Sequence, residues 1–137
     1  MKFVIVPGFT NSGPKHWQSL LENKYSNIIR VVQKNWNSPE REEWISGIEE
    51  TINKIDGDVF LIGHSCGSIA ITQWAEKHNT NKIIGAILVS PADIESVNAL
   101  DEIKVQRPIS YYKLPFESTV VYSENDEHLS VDRAELL

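Results

Sequence analysis

The sequence predicts a three-layer α/β sandwich: a doubly wound, mostly parallel sheet of about five strands, with helices on both faces. Two observations carry this. Short runs such as Phe3–Val6, Val59–Ile62 and Ile83–Val89 are apolar or glycine at every position. A strand without polar alternation is buried on both sides, the habit of parallel strands covered by helices. Between these runs lie stretches with apolar residues at helical spacing, so strands and helices alternate along the chain.

Taken in order, the first strand is Phe3–Val6, stopped by Pro7-Gly8. After the loop Gly8–Pro14 a helix is expected from near Pro14, with Trp17, Leu20 and Leu21 on one face and Ile28 beyond its end. Val31-Val32 read as a short second strand running out towards Trp36. Ser38-Pro39 reads as a helix start, a serine N-cap followed by proline at the first helical position, with Glu40, Glu42 and Glu43 near the positive end of the dipole. That helix carries Trp44, Ile45, Ile48, Ile52 and Ile55 on one stripe and stops at Asp56-Gly57. Val59–Ile62 is the third strand. A helix follows Gly67, with Ile69, Ala70, Trp74 and Ala75 on one face, and runs to His78. Ile83–Val89 is the fourth strand and Thr119–Tyr122 the fifth. Ala92–Ser118 between them shows no sustained period, and Val131–Leu137 begins another helix. The four tryptophans sit on apolar stripes or strand ends and read as core.

The 137 residues are 41% apolar and 23% charged, the make-up of one globular domain with one core. A formal net charge of −6, with no basic cluster, argues against nucleic acid or an anionic membrane as partner. No apolar run is long enough to span a membrane. The single cysteine, Cys66, pairs with no other in the chain, so a reducing cytoplasm is the expected location. The four histidines lack metal-ligand spacing; no metal and no cofactor are expected.

Gly63-His64-Ser65-Cys66-Gly67 is the stretch with chemistry in it. A strand that reverses within a few residues into a helix strains its middle residue, and glycines two positions either side give the turn room. Ser65 then stands at a helix N-terminus, where free amides and the dipole favour negative charge. In an α/β-hydrolase site of this kind Ser65 is the nucleophile and the N–H of Cys66 one oxyanion donor. A residue after the first strand, Phe9, supplies the other. Asp126, just past the fifth strand, stands where a carboxylate would orient an imidazole; its bland reading is a turn residue in Asn125-Asp126.

The chain resembles the small serine-hydrolase family that includes the retinoblastoma-binding protein 9 hydrolases and the bacterial YdeN-like proteins. The residues that carry the resemblance span nearly the whole chain. They are Ile5-Val6-Pro7-Gly8, Ser12-Gly13-Pro14 with His16-Trp17-Gln18, Trp36-Asn37-Ser38-Pro39 with Trp44, Gly63–Gly67, and Ser123-Glu124-Asn125-Asp126. The resemblance implies one α/β-hydrolase-like domain over residues 1–137, with Ser65 as nucleophile and Asp126 as triad acid. It also implies a departure. In that family the catalytic histidine follows the acid in a Gly-His motif after one more strand, whereas these residues end eleven past Asp126. The domain is therefore expected to be incomplete at its C-terminus, without the last strand and the triad histidine.

The function expected is hydrolysis of a small ester, amide or thioester through an acyl-enzyme, with a small molecule as substrate. His128, two residues past Asp126, is the candidate substitute base; His16 and His64 read as loop-holding residues. The alternative is a non-catalytic interaction protein on the same fold. A nucleotide-binding reading of Gly8–Lys15 fares worse, because Pro14 removes an amide from the loop and His16 stands where a magnesium-binding hydroxyl belongs. Without a further strand beside it, the uncharged run Thr119–Tyr122 becomes an exposed edge through which the chain is expected to self-associate.

Overall fold

The computed structural model describes residues 1–111 and 113–123. Five strands form one all-parallel sheet in the order β2-β1-β3-β4-β5. They are β1 (Lys2–Val6), β2 (Ile28–Arg30), β3 (Val59–His64), β4 (Ile83–Val89) and β5 (Ser118–Val121). Three helices make the crossovers: α1 (Trp17–Lys24), α2 (Arg41–Asn53) and α3 (Cys66–Lys77). A 3₁₀ helix, Asp101–Gln106, interrupts the long β4–β5 connection. This is the α/β fold expected. The fourth expected helix, Val131–Leu137, lies outside the described residues.

The layers follow from strand alternation. A Cβ on Gly63 would lie 2.8 Å from Ile71 Cδ1 and 2.9 Å from Ser68 Cα, so α3 covers that face of β3. The neighbouring residue Ile62 points the other way, into a groove shared with Leu21 and Tyr25 at the α1 end. Right-handed crossovers place α2 and α3 on one face and α1, whose connection runs in the opposite direction, on the other. The core fills the α2–α3 side: Val4, Val6, Leu61, Trp44, Ile48, Ile69, Ile71 and Trp74 are all at most 1% exposed. Trp44 and Trp74 are core, as their stripes indicated.

Three elements differ from the sequence reading. The second strand is Ile28–Arg30 and not Val31-Val32. α1 ends at Lys24, which frees Ile28 to pair with Phe3, while Val32 turns out to solvent at 74% exposure. α1 itself buries Gln18 and Ser19, not the apolar triad, and Leu20 is 57% exposed. Its interior contact is made by hydrogen bonds: Gln18 Nε2 donates to the carbonyl oxygens of Ile62 (3.1 Å) and Val6 (3.5 Å), and its Oε1 accepts from Ser12 Oγ at 2.8 Å. Finally, α2 is capped by Glu40 and not Ser38. The Glu40 carboxylate accepts from the amides of Glu42 (3.2 Å) and Glu43 (2.8 Å), an anion at the positive end of the helix.

Candidate active site

Strand order decides where a site can form. The chain leaves β1 towards β2 and leaves β3 towards β4, so the loops after β1 and β3 part in opposite directions. In open parallel sheets ligands sit in the crevice opened there, at the carboxyl ends of the strands. The two loops are Gly8–Pro14 and His64–Gly67.

Ser65 joins β3 to α3 with φ 55° and ψ −122°, a conformation other residues than glycine rarely adopt. Such backbone persists only where its surroundings over-determine it. They do here. The Ser65 amide donates to Val89 O at 3.0 Å, and its carbonyl oxygen accepts from the amides of Ser68 (3.0 Å) and Ile69 (3.4 Å). A Cβ on Gly67 would run into the carbonyl oxygens of Val6 and Pro7. The helix can therefore start this close to β1 only with glycine at position 67.

Gly8 closes the other side. A Cβ there would lie 2.9 Å from Ser65 Cβ and 3.3 Å from the Cys66 nitrogen, so the Gly8-Phe9 backbone faces the Ser65-Cys66 peptide. The structure thus brings together three of the residues singled out in the sequence: Phe9, Ser65 and Cys66. Asp126 and His128 lie outside the described residues. The Cys66 side chain is 1% exposed. Burial pushes its thiol up to about 11, against hydrogen bonds from the Phe9 backbone and the Ser65 side chain that act in the opposite sense. At neutral pH it is a packed, protonated thiol.

The loop after β1 is held from β2 and α1. Thr10 and Asn11 have φ of 67° and 66°, and for the β-branched Thr10 this is strained. Arg30 at the end of β2 pins the loop: Nη1 donates to Asn11 Oδ1 (2.7 Å) and Ser12 O (3.2 Å), Nη2 to Ser19 Oγ (2.7 Å), and Nε to Glu22 Oε1 (3.0 Å). With one guanidinium serving four acceptors, Arg30→Met is expected to cost about 2 kcal/mol, since bonds from charged donors are worth about 1.5–3 kcal/mol each where they are not replaced. An unchanged urea midpoint would show that the clamp contributes nothing.

His16 caps α1, its Nδ1 accepting from Gln18 N at 3.2 Å, and its ring meets His64 edge-on at a centroid distance of 4.6 Å. Burial, then the charge of Arg30, hold His16 below the ordinary histidine range. Trp17 stands edge-on to His64 at 5.9 Å, half-buried at the rim of the site and outside the core where the sequence reading put it. His78 ends α3, 3.2 Å from Glu49 and stacked on Trp74. Tyr111 borders a cavity of about 210 Å³ between α3, β4 and β5. Its lining begins at Ser68, one helical turn from Ser65. Among the described residues no group of three His, Cys, Asp or Glu could hold a metal, and no helix is long and apolar enough to cross a membrane.

The serine hydrolase family model matches residues 3–137. The chain belongs to that serine hydrolase family. Solved structures agree on its fold. A protein described as a YdeN-like hydrolase of Pectobacterium atrosepticum superposes with a TM-score of 0.83 at 28% identity, over 98% of this chain and 69% of that one. The ydeN gene product of B. subtilis gives 0.72 at 22% identity, over 98% and 78%. No match was found among curated proteins. For this serine hydrolase the sequence reading passed over Gln18, Arg30, Gln73 and Gln106, all tied to the site. Gln18 alone left a trace, as part of the His16-Trp17-Gln18 motif.

Proposed function

We propose that this serine hydrolase cleaves a small ester, amide or thioester through Ser65. The turn at Ser65 is then a nucleophile elbow, and its strained backbone beside Gly8-Phe9 is the observation that carries the reading. Ser65 Oγ attacks the carbonyl carbon and its proton passes to a base. The developing oxyanion lies between the amides of Phe9, in the turn after β1, and Cys66, in the first turn of α3. Collapse expels the alcohol, amine or thiol and leaves an acyl group on Ser65, which water then removes. Asp126 is the proposed acid that orients the base. The cytoplasm, with its reduced thiols, suits a protein whose one cysteine is buried and unpaired.

The second reading is a non-catalytic interaction protein on the same fold, in which Ser65 is inert. Hydrolysis of short-chain p-nitrophenyl esters separates the two. The enzyme shows an initial burst of p-nitrophenol equal to the enzyme present, and an acylated Ser65 peptide by mass spectrometry; the interaction protein shows neither. His128→Ala is expected to change turnover by less than about tenfold, roughly 1.4 kcal/mol of barrier. A loss of 10³ or more would make His128 the base.

Self-association is proposed through β5. It is the outermost strand among the described residues, Ser118 and Thr119 are exposed, and Val121 and Tyr122 are 47% and 36% exposed. Appending a matching strand and helix should yield a monomer on size exclusion that melts higher than the 137-residue chain. If the shorter chain is already monomeric and no less stable, the edge is not a docking site.

A further inference from the structure

We infer that Gln106, with Gln73 behind it, is a positioning residue for the oxyanion site, an inference that rests on the reading of Ser65 as nucleophile. The long connection from β4 to β5 turns Gln106 inward at the end of its 3₁₀ helix, where the side chain is 0% exposed. Gln106 Nε2 donates to the carbonyl oxygen of Cys66 at 2.8 Å. Cys66 opens α3, so this carbonyl belongs to the same residue whose N–H is the proposed oxyanion donor.

A carbonyl in the first turn of a helix already faces the amide four residues on. The bond from Gln106 is therefore not needed to satisfy Cys66. What it adds is a second direction of restraint, applied from another element. Gln73, two turns along α3 and also 0% exposed, completes the device: its Nε2 donates to the carbonyl oxygens of Gln106 (2.7 Å) and Pro108 (2.9 Å). The helix thus holds the backbone of the 3₁₀ segment, and the segment holds the first turn of the helix.

The arrangement is poor as a stability device. The amide oxygens of Gln73 and Gln106 are both buried and accept no hydrogen bond from the described residues. Buried acceptors left in that state are destabilising, and a pair of apolar side chains of similar volume would avoid it. What glutamine supplies and an apolar residue cannot is a donor aimed at one carbonyl. Supports of this kind, a shell out from the reacting atoms, keep a site within the fraction of an ångström that its chemistry needs.

The test is two-step inactivation by a fluorophosphonate, which separates the maximal rate of bond formation at Ser65 from the concentration that half-saturates it. Gln106→Met keeps the volume and removes the donor. It is expected to lower the maximal rate about tenfold, leave the half-saturating concentration within twofold, and not lower the melting temperature. Gln106→Glu adds a readout that packing alone does not produce. A protonated carboxyl donates to Cys66 O, whereas an ionised one repels it, and burial raises the pH at which the change occurs. The rate of this variant relative to the unsubstituted chain should therefore rise as pH falls. Gln73→Met should give a smaller loss of the same kind. If Gln106→Met does not fold, the pH profile of Gln106→Glu decides. An unchanged maximal rate, a change confined to the half-saturating concentration, or a flat Gln106→Glu profile overturns the inference while the role of Ser65 stands. An unsubstituted chain that is folded yet unlabelled at Ser65 overturns both.

Discussion

Ser65→Ala is expected to abolish the acyl-enzyme formed with a short-chain p-nitrophenyl ester, and with it the burst of p-nitrophenol. The neighbouring Cys66 is the nearest alternative nucleophile, but its thiol is 1% exposed and stays protonated at neutral pH, its pKa raised to about 11. The drop in steady-state turnover reports on the base as well. Members of a complete triad act as a unit, and losing the serine from one costs about 10⁶ in kcat. Where no base assists, turnover rests on the oxyanion amides and binding, worth about 10³–10⁴ over water, and the loss on removing Ser65 is far smaller. In both cases the burst disappears. A burst that survived Ser65→Ala would place the chemistry at another residue.

Gly67→Ala is expected to destabilise the fold by about 2–4 kcal/mol and to end labelling at Ser65. The added methyl meets the carbonyl oxygens of Val6 and Pro7. These are backbone atoms of the strand and turn that lead into Gly8-Phe9, so no rotamer change relieves the contact. Either α3 moves away from β1, or the loop carrying the Phe9 amide moves away from Ser65. Both responses open the site. A chain of this size should melt about 10 °C lower for such a loss. Gly13→Ala is the control, because a Cβ there meets nothing within 4 Å. Equal melting temperatures for the two substitutions would mean that the close approach at Gly67 is not a constraint.

What could be read from the chain follows from how each element is buried. β3 and β4 are covered on both faces at their centres, so their residues form unbroken apolar runs, and Ile83–Val89 was legible to the residue. Gly63 and Gly67 were legible as a pair because both are close approaches set by the same strand–turn–helix, and close approach admits only glycine. β2 was missed by three residues: its positions are only partly buried, and three of them leave no period to detect. α1 begins at Trp17, three residues past the expected start near Pro14, and is turned the other way. Its contact with the sheet is made by Gln18, whose carbonyl partner Ile62 is 44 residues on. Hydrogen bonds at such separations leave no local pattern. The same holds for Arg30, Gln73 and Gln106, which read in the sequence as ordinary polar residues and are held by hydrogen bonds to other segments of the chain.

Ser65 is proposed as an activated nucleophile in a preformed oxyanion site. The most direct measurement is exposure of the folded chain to a fluorophosphonate probe, followed by digestion and mapping of the adduct. One adduct per chain is expected, on Ser65, absent from heat-denatured protein and from Ser65→Ala. A folded chain that takes up no probe, or one that carries it on a residue other than Ser65, would contradict it.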